Sequence, residues 1–297
     1  MSASNEFPVG SLPEKLAATT RTALASGALR SIETESHFVE EAGARFLVRV
    51  ASNLARKDAE LAKRVRQERD EGQSFNPFLP YEEAMFVADV SETHVALLNK
   101  FNVIDHHLLV VTREFIHQEE LLDLADFSAL DRCLAESPSL GFYNGGIEAG
   151  ASQPHKHLQL VPLPMAEAGP AVPIEPLLDR LPFTHVLTRL DPTRDLRSPT
   201  SARLELELYR AALDHLGIAP FDAGAGARHE RPYNLLLTRE WMLVVPRSRE
   251  HFGEVSINGL GFAGSLFVRD EAQLQAIEDE GPLGVLCAVT GGREETR

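Results

Sequence analysis

Apolar and polar positions recur along the chain with two periods, and the change from one to the other marks its elements. Residues 12–30, "LPEKLAATTRTALASGALR", place apolar side chains at helical spacing behind Ser11 and Pro13, which predicts an amphipathic helix with its start signal. "ARFLVRVAS" (44–52) alternates with the period of two that marks a strand. The stretch 56–72, "RKDAELAKRVRQERDEG", is mostly charged and reads as a loop or a solvated helix. "NPFLPYEEAMFVADV" (76–90) leads into a strand, and "HVALLNKFNVIDHHLLVVT" (94–112) reads as two apolar strands turning at "NKFNVID". Residues 128–136 are helical, and "GFYNGG" (141–146) ends a strand on a glycine turn before the strand "HKHLQL" (155–160).

The pattern then breaks. "PLPMAEAGPAVPIEP" (162–176) is proline-rich and unpatterned, so it predicts a connection between two parts of the chain. Beyond it lie a strand (184–190), a strong helix (201–217), a glycine-alanine loop (222–230) and two apolar strands, "YNLLLTRE" and "WMLVVPRS", spaced as a hairpin. A Gly-rich segment, "SINGLGFAGSLFVRD" (256–270), and a final helix close the chain. Strands joined mostly as hairpins, with helices interspersed, predict an α+β fold: an antiparallel sheet flanked by helices, not a βαβ succession.

Composition narrows the function classes. The 297 residues are 43% hydrophobic and 25% charged, as in an ordinary globular protein. The two cysteines, Cys133 and Cys287, sit in apolar helical patterns and point to a reducing compartment. The start lacks the basic and apolar regions of a signal peptide, and no apolar run approaches the ~20 residues of a membrane span, so the expected location is the cytoplasm, with no membrane partner. Lys and Arg number 29 against 44 Asp and Glu, a net charge of −15. That balance argues against nucleic acid as a partner, which needs a basic footprint. A small anionic ligand remains compatible with it, provided cations, N–H groups or a metal are gathered locally.

Candidate chemistry centres on "QPHKHLQL" (153–160). On a strand, His155, His157 and Gln159 share one face, with Lys156, Leu158 and Leu160 on the other. Three readings compete: strand decoration, a metal site and a nucleophile with its attendants. Glutamine is a poor third ligand for zinc, and no nearby residue completes a triad, so no metal ligand is assigned. A neutral imidazole can attack phosphorus if its second nitrogen is held by a hydrogen bond. A carboxamide two positions on can donate to a phosphoryl oxygen, and "GGIEAGASQ" (145–153) offers turn glycines and N–H groups for anionic oxygens. His106 and His107, at the mouth of an apolar strand, read as structural.

With these residues in view, the sequence resembles the diadenosine tetraphosphate phosphorylases (ATP adenylyltransferases) of the histidine-triad superfamily, in the branch with glutamine in place of the last triad histidine. The similar stretches are "NPFLPY", "LLNKFNVIDHHLLVVTREF", "FYNGGIEAGASQPHKHLQL", "YNLLLTREWMLVVPRS" and "SINGLGFAGSLFV". The resemblance implies a histidine-triad-like N-terminal region (1–165) with the catalytic strand, and a C-terminal adenylyltransferase region (177–297) packed on it. It implies His157 as nucleophile, His155 as the residue that orients the site, and Gln159 as a contact to the transferred phosphate. Asn144 and the run Gly150, Ala151, Ser152 and Gln153 match the phosphate-binding turn. Asn99 and Lys100 match a substrate-binding pair, Asn258 and Gly259 further nucleotide contacts, and Lys57 an upstream lysine. The implied substrates and products are dinucleoside polyphosphates, ATP, ADP and inorganic phosphate, with a divalent cation, Mg²⁺, to neutralise polyphosphate charge. Two other readings stay open at this point: an enzyme like the hexose-1-phosphate uridylyltransferases, and a non-catalytic nucleotide-binding protein. The oligomeric state is not legible in the sequence.

Overall fold

A computed structural model of the chain describes residues 6–51, 76–224 and 226–291. Lys57 and the charged stretch 56–72 therefore lie outside the described residues. The strands are β1 (Glu35–Glu41), β2 (Ala44–Val50), β3 (Phe86–Asp89), β4 (His94–Leu98), β5 (Leu108–Thr112), β6 (Ser139–Gly145), β7 (His157–Pro162), β8 (Val186–Arg189), β9 (Pro220–Asp222), β10 (Ala227–His229), β11 (Tyr233–Leu237), β12 (Trp241–Pro246), β13 (His251–Phe252), β14 (Val255–Ser256) and β15 (Ser265–Val268). Helices cover Leu12–Ser26, Leu124–Leu134, Pro199–His215, Glu271–Glu280 and Pro282–Val289.

One eight-stranded sheet, in the order β3-β4-β5-β7-β6-β11-β12-β8, organises the molecule, and every neighbouring pair in it is antiparallel. The α+β architecture with an antiparallel sheet and flanking helices is as the hydrophobic pattern predicts. Strands β3 to β7 come from before the proline-rich connection and β8, β11 and β12 from after it, so both parts of the chain share the sheet. A smaller sheet, β1-β2-β15, runs β15 parallel to β2.

The alternation of β7 divides its side chains between two faces. Leu158 and Leu160 enter a core with Tyr143, Leu235 and Val244, beneath residues of the helices Leu124–Leu134 and Pro199–His215. On the other face, Phe142, Leu236 and Leu243 pack with Phe46, Val48, Phe262 and Leu286. That second layer comes from the small sheet and the C-terminal segment, and it leaves room above His157 and Gln159.

Four local details differ from the pattern-based expectation. The first helix stops at Ser26, because Gly27 turns left-handed (φ 74°) and its N–H closes on the Leu24 carbonyl. Ser11 makes no side-chain cap; its hydroxyl donates to the Pro8 carbonyl. The glycine-alanine segment forms the short β9/β10 hairpin. The final helix is two helices, separated at Gly281 (φ 81°) and Pro282. Among the described residues no helix is long and apolar enough to cross a membrane.

Candidate active site

Strands β6 and β7 pair from Ser139↔Pro162 to Phe142↔Gln159. Past Gln159, the chain before β7 and the end of β6 diverge, which would strand backbone groups in the interior. Gln118 fills the gap. Its Oε1 accepts the His157 N–H (2.8 Å), and its Nε2 donates to the carbonyls of Asn144 (2.9 Å) and His157 (3.3 Å). One buried carboxamide thus fixes the backbone of the candidate nucleophile.

The His157 ring is almost fully buried and packs against Phe78, with ring centroids 5.4 Å apart. Its Nδ1–H donates to the His155 carbonyl at 2.8 Å. A carbonyl only accepts, so Nδ1 carries the proton and Nε2 keeps its lone pair. Burial pushes the imidazole down to about 4; the His155 carbonyl opposes that shift and the nearby His155 ring adds to it. The ring is therefore neutral near pH 7.

His155 acts through its backbone. Its Nε2–H points to the carbonyls of Thr112 (2.9 Å) and Glu114 (3.0 Å), and its Nδ1 accepts from Asn76 Nδ2 (2.9 Å). With both nitrogens engaged away from His157, the two imidazoles do not converge on a common ion. Its position also differs from a regular strand residue: β7 begins at His157, and His155 forms an isolated bridge with His117.

Gln159 is oriented by a chain of hydrogen bonds that begins at a backbone donor. The Phe101 N–H donates to Asn99 Oδ1 (3.3 Å), which turns Asn99 Nδ2 toward His107 Nδ1 (3.2 Å). The proton on His107 is then on Nε2, which donates to Gln159 Oε1 (3.0 Å). The donor end of the Gln159 carboxamide is left for the cavity. His107, read as structural from the sequence, is part of the site, while His106 bonds Thr20 instead (3.3 Å). Asn99 thus contributes through His107, and Lys100 forms an ion pair with Glu82 at the cavity mouth.

The turn after β6 is built for close approach. Gly150 has φ 88°, and a Cβ there would lie 2.7 Å from Asn258 Cβ, so only glycine fits. The Gly150 and Ala151 N–H groups close the turn itself, on Ile147 O (2.8 Å) and Gly146 O (3.1 Å). The donors that remain toward the cavity are on Ser152 and Gln153, of which Ser152 is exposed. Gly259 has a packing reason: its N–H donates to Asn144 Oδ1 (2.9 Å), and a Cβ would come within 2.9 Å of that oxygen. It does not line the cavity. Asn258 does, while its Oδ1 caps the following turn at Leu260 N–H (3.0 Å).

Above these groups lies a cavity of about 670 Å³, lined by Phe78, Tyr81, Asn99, Lys100, Asn144, Gly150 to Gln153, His157, Gln159, Asn258, Phe267 and Arg269. Its size suits a nucleotide-scale ligand. Acidic residues Glu82, Glu250 and Glu254 also face it. The structure thus gathers the candidate residues it describes around one cavity, except Gly259, which lies one layer behind, and His155, whose ring turns away to Thr112, Glu114 and Asn76. It adds Asn76, His107, Gln118, Asn234 and Arg247, whose roles depend on contacts across the sheet.

Known proteins share both the sequence pattern and the fold. Residues 2–180 match the family model of the Ap4A phosphorylase N-terminal domain, and residues 179–291 that of the ATP adenylyltransferase C-terminal domain. The chain is 29% identical over 218 residues to Protein APA1 of Saccharomyces cerevisiae, covering 64% of this chain and 66% of that protein. It is 29% identical over 239 residues to diadenosine 5',5'''-P1,P4-tetraphosphate phosphorylase 2 of the same yeast, covering 69% and 72%. The aligned region therefore spans about two thirds of the length of the first of these relatives. The crystal structure of yeast Ap4A phosphorylase Apa2 in complex with AMP superposes with a TM-score of 0.75 at 24% identity, over 96% of this chain and 98% of that one. The complex of Apa2 with Ap4A gives 0.75 at 24%, over 94% and 97%; at such identity the likeness shows the fold. By both of its domains, this chain belongs to the Ap4A phosphorylase (ATP adenylyltransferase) family.

Proposed function

We propose that the protein is a nucleotidyltransferase that phosphorolyses diadenosine tetraphosphate to ATP and ADP through an adenylyl group carried on His157. The observation that carries this reading is the fixed tautomer of His157, whose Nδ1–H is committed to the His155 carbonyl. The lone pair of Nε2 attacks the α-phosphorus and an N–P bond forms. The bond to the bridging oxygen breaks, and its electron pair leaves on ATP. The N-adenylyl ring is cationic while Nδ1 keeps its proton, and the His155 carbonyl stabilises that charge. An oxygen of inorganic phosphate then attacks the same phosphorus, the N–P bond breaks, ADP departs and the imidazole is neutral again.

Gln159 Nε2 and Asn144 Nδ2 are the carboxamide donors toward the transferred phosphoryl group. Neither shuttles a proton, which favours an acceptor that arrives already anionic over water. Among the described residues no group of three or more His, Cys, Asp or Glu side chains converges as a metal cluster. A divalent cation, Mg²⁺, would enter with the polyphosphate and neutralise its charge while keeping several of its waters. The cytoplasm is the compartment that suits the free thiols of Cys133 and Cys287.

The test is product analysis of diadenosine tetraphosphate incubated with and without phosphate. ATP and ADP in equal amounts with phosphate, and without it no more than one ATP per active site, support the proposal. Abundant AMP without phosphate would move the protein to the hydrolases, and no turnover at all would leave a nucleotide-binding protein.

A further inference from the structure

The buried polar groups behind the phosphate turn form a chain with one possible direction. Asn234 on β11 lies directly opposite Asn144 on β6 in the sheet register, and both are buried. Arg247, just past β12, is buried too, and its Nη1 donates to Asn234 Oδ1 at 2.7 Å. A guanidinium has no acceptor, so that contact fixes which end of the Asn234 carboxamide faces it. Asn234 Nδ2 must then point away from Arg247, and it donates to Asn144 Oδ1 (2.8 Å) and Ala149 O (2.9 Å). The Gly259 N–H donates to the same Asn144 oxygen (2.9 Å). With Oδ1 doubly engaged, Asn144 Nδ2 is turned toward the cavity side, where it reaches the Gly150 carbonyl only at a long 3.5 Å.

We infer that Asn234 and Arg247 are positioning residues, which act through Asn144 to present an N–H donor, and not a carbonyl oxygen, to the phosphoryl group of the substrate. The inference rests on the nucleotidyltransferase reading and extends it to two residues that do not line the cavity. The Arg247 guanidinium also binds the carbonyls of Ile257 (2.8 Å), Arg249 (2.9 Å) and Glu250 (3.2 Å), and Val289 through Nε (3.4 Å). It thereby ties the phosphate turn to the Asn258 loop and the last helix. A reversed Asn144 would aim its oxygen at an anion and leave the Asn234 amide and the Gly259 N–H facing an NH₂ group. The direction of the chain thus decides whether the site attracts or repels phosphate.

The near-isosteric substitution Asn234→Asp separates this role from packing. A carboxylate at 234 still accepts from Arg247 but cannot donate to Asn144, so the Asn144 carboxamide loses the partner that orients it. AMP binding measured by calorimetry on the full chain should weaken roughly tenfold, the equivalent of one charge-assisted hydrogen bond; thermal stability should fall as well, because the Ala149 carbonyl loses the same donor, so the role is read from the comparison that follows and not from stability. In an Asn144→Ala background the same substitution should add nothing, because the residue it acts through is gone. Asn234→Ser, which abolishes the fixed polarity without adding charge, should show the same non-additivity and serves if the aspartate variant folds poorly. Wild-type affinity in folded Asn234→Asp, or an equal weakening with and without Asn144, would overturn the inference. Failure of the wild-type protein to bind AMP would instead overturn the nucleotide reading, and this relay with it.

Discussion

The Nδ1 of His157 lies 2.8 Å from the carbonyl oxygen of His155, two residues back on the same strand approach. This contact sets the tautomer of the proposed nucleophile without a carboxylate, so a second acidic group is not needed beside an anionic substrate. Its neutrality has a further cause, burial, which holds the imidazole at about 4.

The pH dependence of turnover follows from that shift. Protonation of Nε2 consumes the attacking lone pair, so activity is lost as pH falls through the folded-state value and is regained above it. A kcat/KM profile should show no limb from His157 between about pH 5.5 and 8, and a fall as pH approaches 4. A limb near 6.5 that remains after the residual activity of His157→Ala is subtracted would contradict the burial argument.

In the proposed mechanism Gln159 decides between transfer to phosphate and transfer to water. Gln159→Ala should slow both half-reactions by about 10²-fold, since a donor aimed at the phosphoryl oxygen is lost. Gln159→His supplies a base near the acceptor and should raise the share of AMP among products, even as total rate falls through misplacement of the larger ring. Substituting His107→Phe should mimic part of the Gln159→Ala effect on kcat, because the carboxamide then loses the 3.0 Å donor that orients it. Chromatographic product ratios measure all three variants.

Gln118 carries a stability prediction. Gln118→Leu keeps a side chain of similar size but leaves the buried His157 N–H without its acceptor, while the Asn144 carbonyl keeps only the Gly146 N–H (3.1 Å). One unmatched buried donor of this kind costs about 1–3 kcal/mol, so denaturant unfolding should show a clear loss of stability together with reduced activity. Unchanged stability would mean that the β6–β7 gap is satisfied in another way.

A second buried feature, far from the chemistry, predicts an opposite pH trend. Glu205 and Asp131 lie together in the interior; burial and their mutual repulsion raise Glu205 to about 8, while burial raises Asp131 to about 6. A raised carboxyl holds a proton that the unfolded chain has released, so stability drains away as pH rises through the folded-state values. His157 and His229, both lowered to about 4 by burial, act in the other direction and favour the fold as pH rises from 4 toward 6.5. Glu205→Gln should therefore flatten the fall in Tm between about pH 4.5, where the unfolded carboxyl ionises, and pH 8, and leave the behaviour at more acidic pH unchanged.

Much of this site was legible in the chain. The alternation of "HKHLQL" placed His157 and Gln159 on one face, and the glycines around Asn144 marked the turn that meets Asn258. What the sequence hid were residues whose meaning lies in a partner far along the chain. Gln118 stands in "FIHQEELL", where nothing local separates a buried clamp from a surface amide. Arg247, in "VVPRSRE", has the pattern of an exposed cation after a strand, and only the converging carbonyls of Ile257, Glu250 and Val289 show that it is interior. His107 read as structural because its partners, Asn99 and Gln159, are recognisable only once β5 and β7 are paired. Composition alone extends the first helix through "GALR", whereas Gly27 takes a backbone conformation that ends it.

The central claim is that His157 carries the adenylyl group. Brief incubation with diadenosine tetraphosphate labelled at the α-phosphorus, in the absence of phosphate, followed by denaturation and peptide mapping, tests it directly. Label on the peptide containing His157, stable in alkali, released by acid and chased into ADP by added phosphate, is the result predicted; His157→Ala should carry none and should turn over slower by orders of magnitude while still binding AMP. Label on another residue, or a His157→Ala protein with near-normal turnover, would contradict the mechanism.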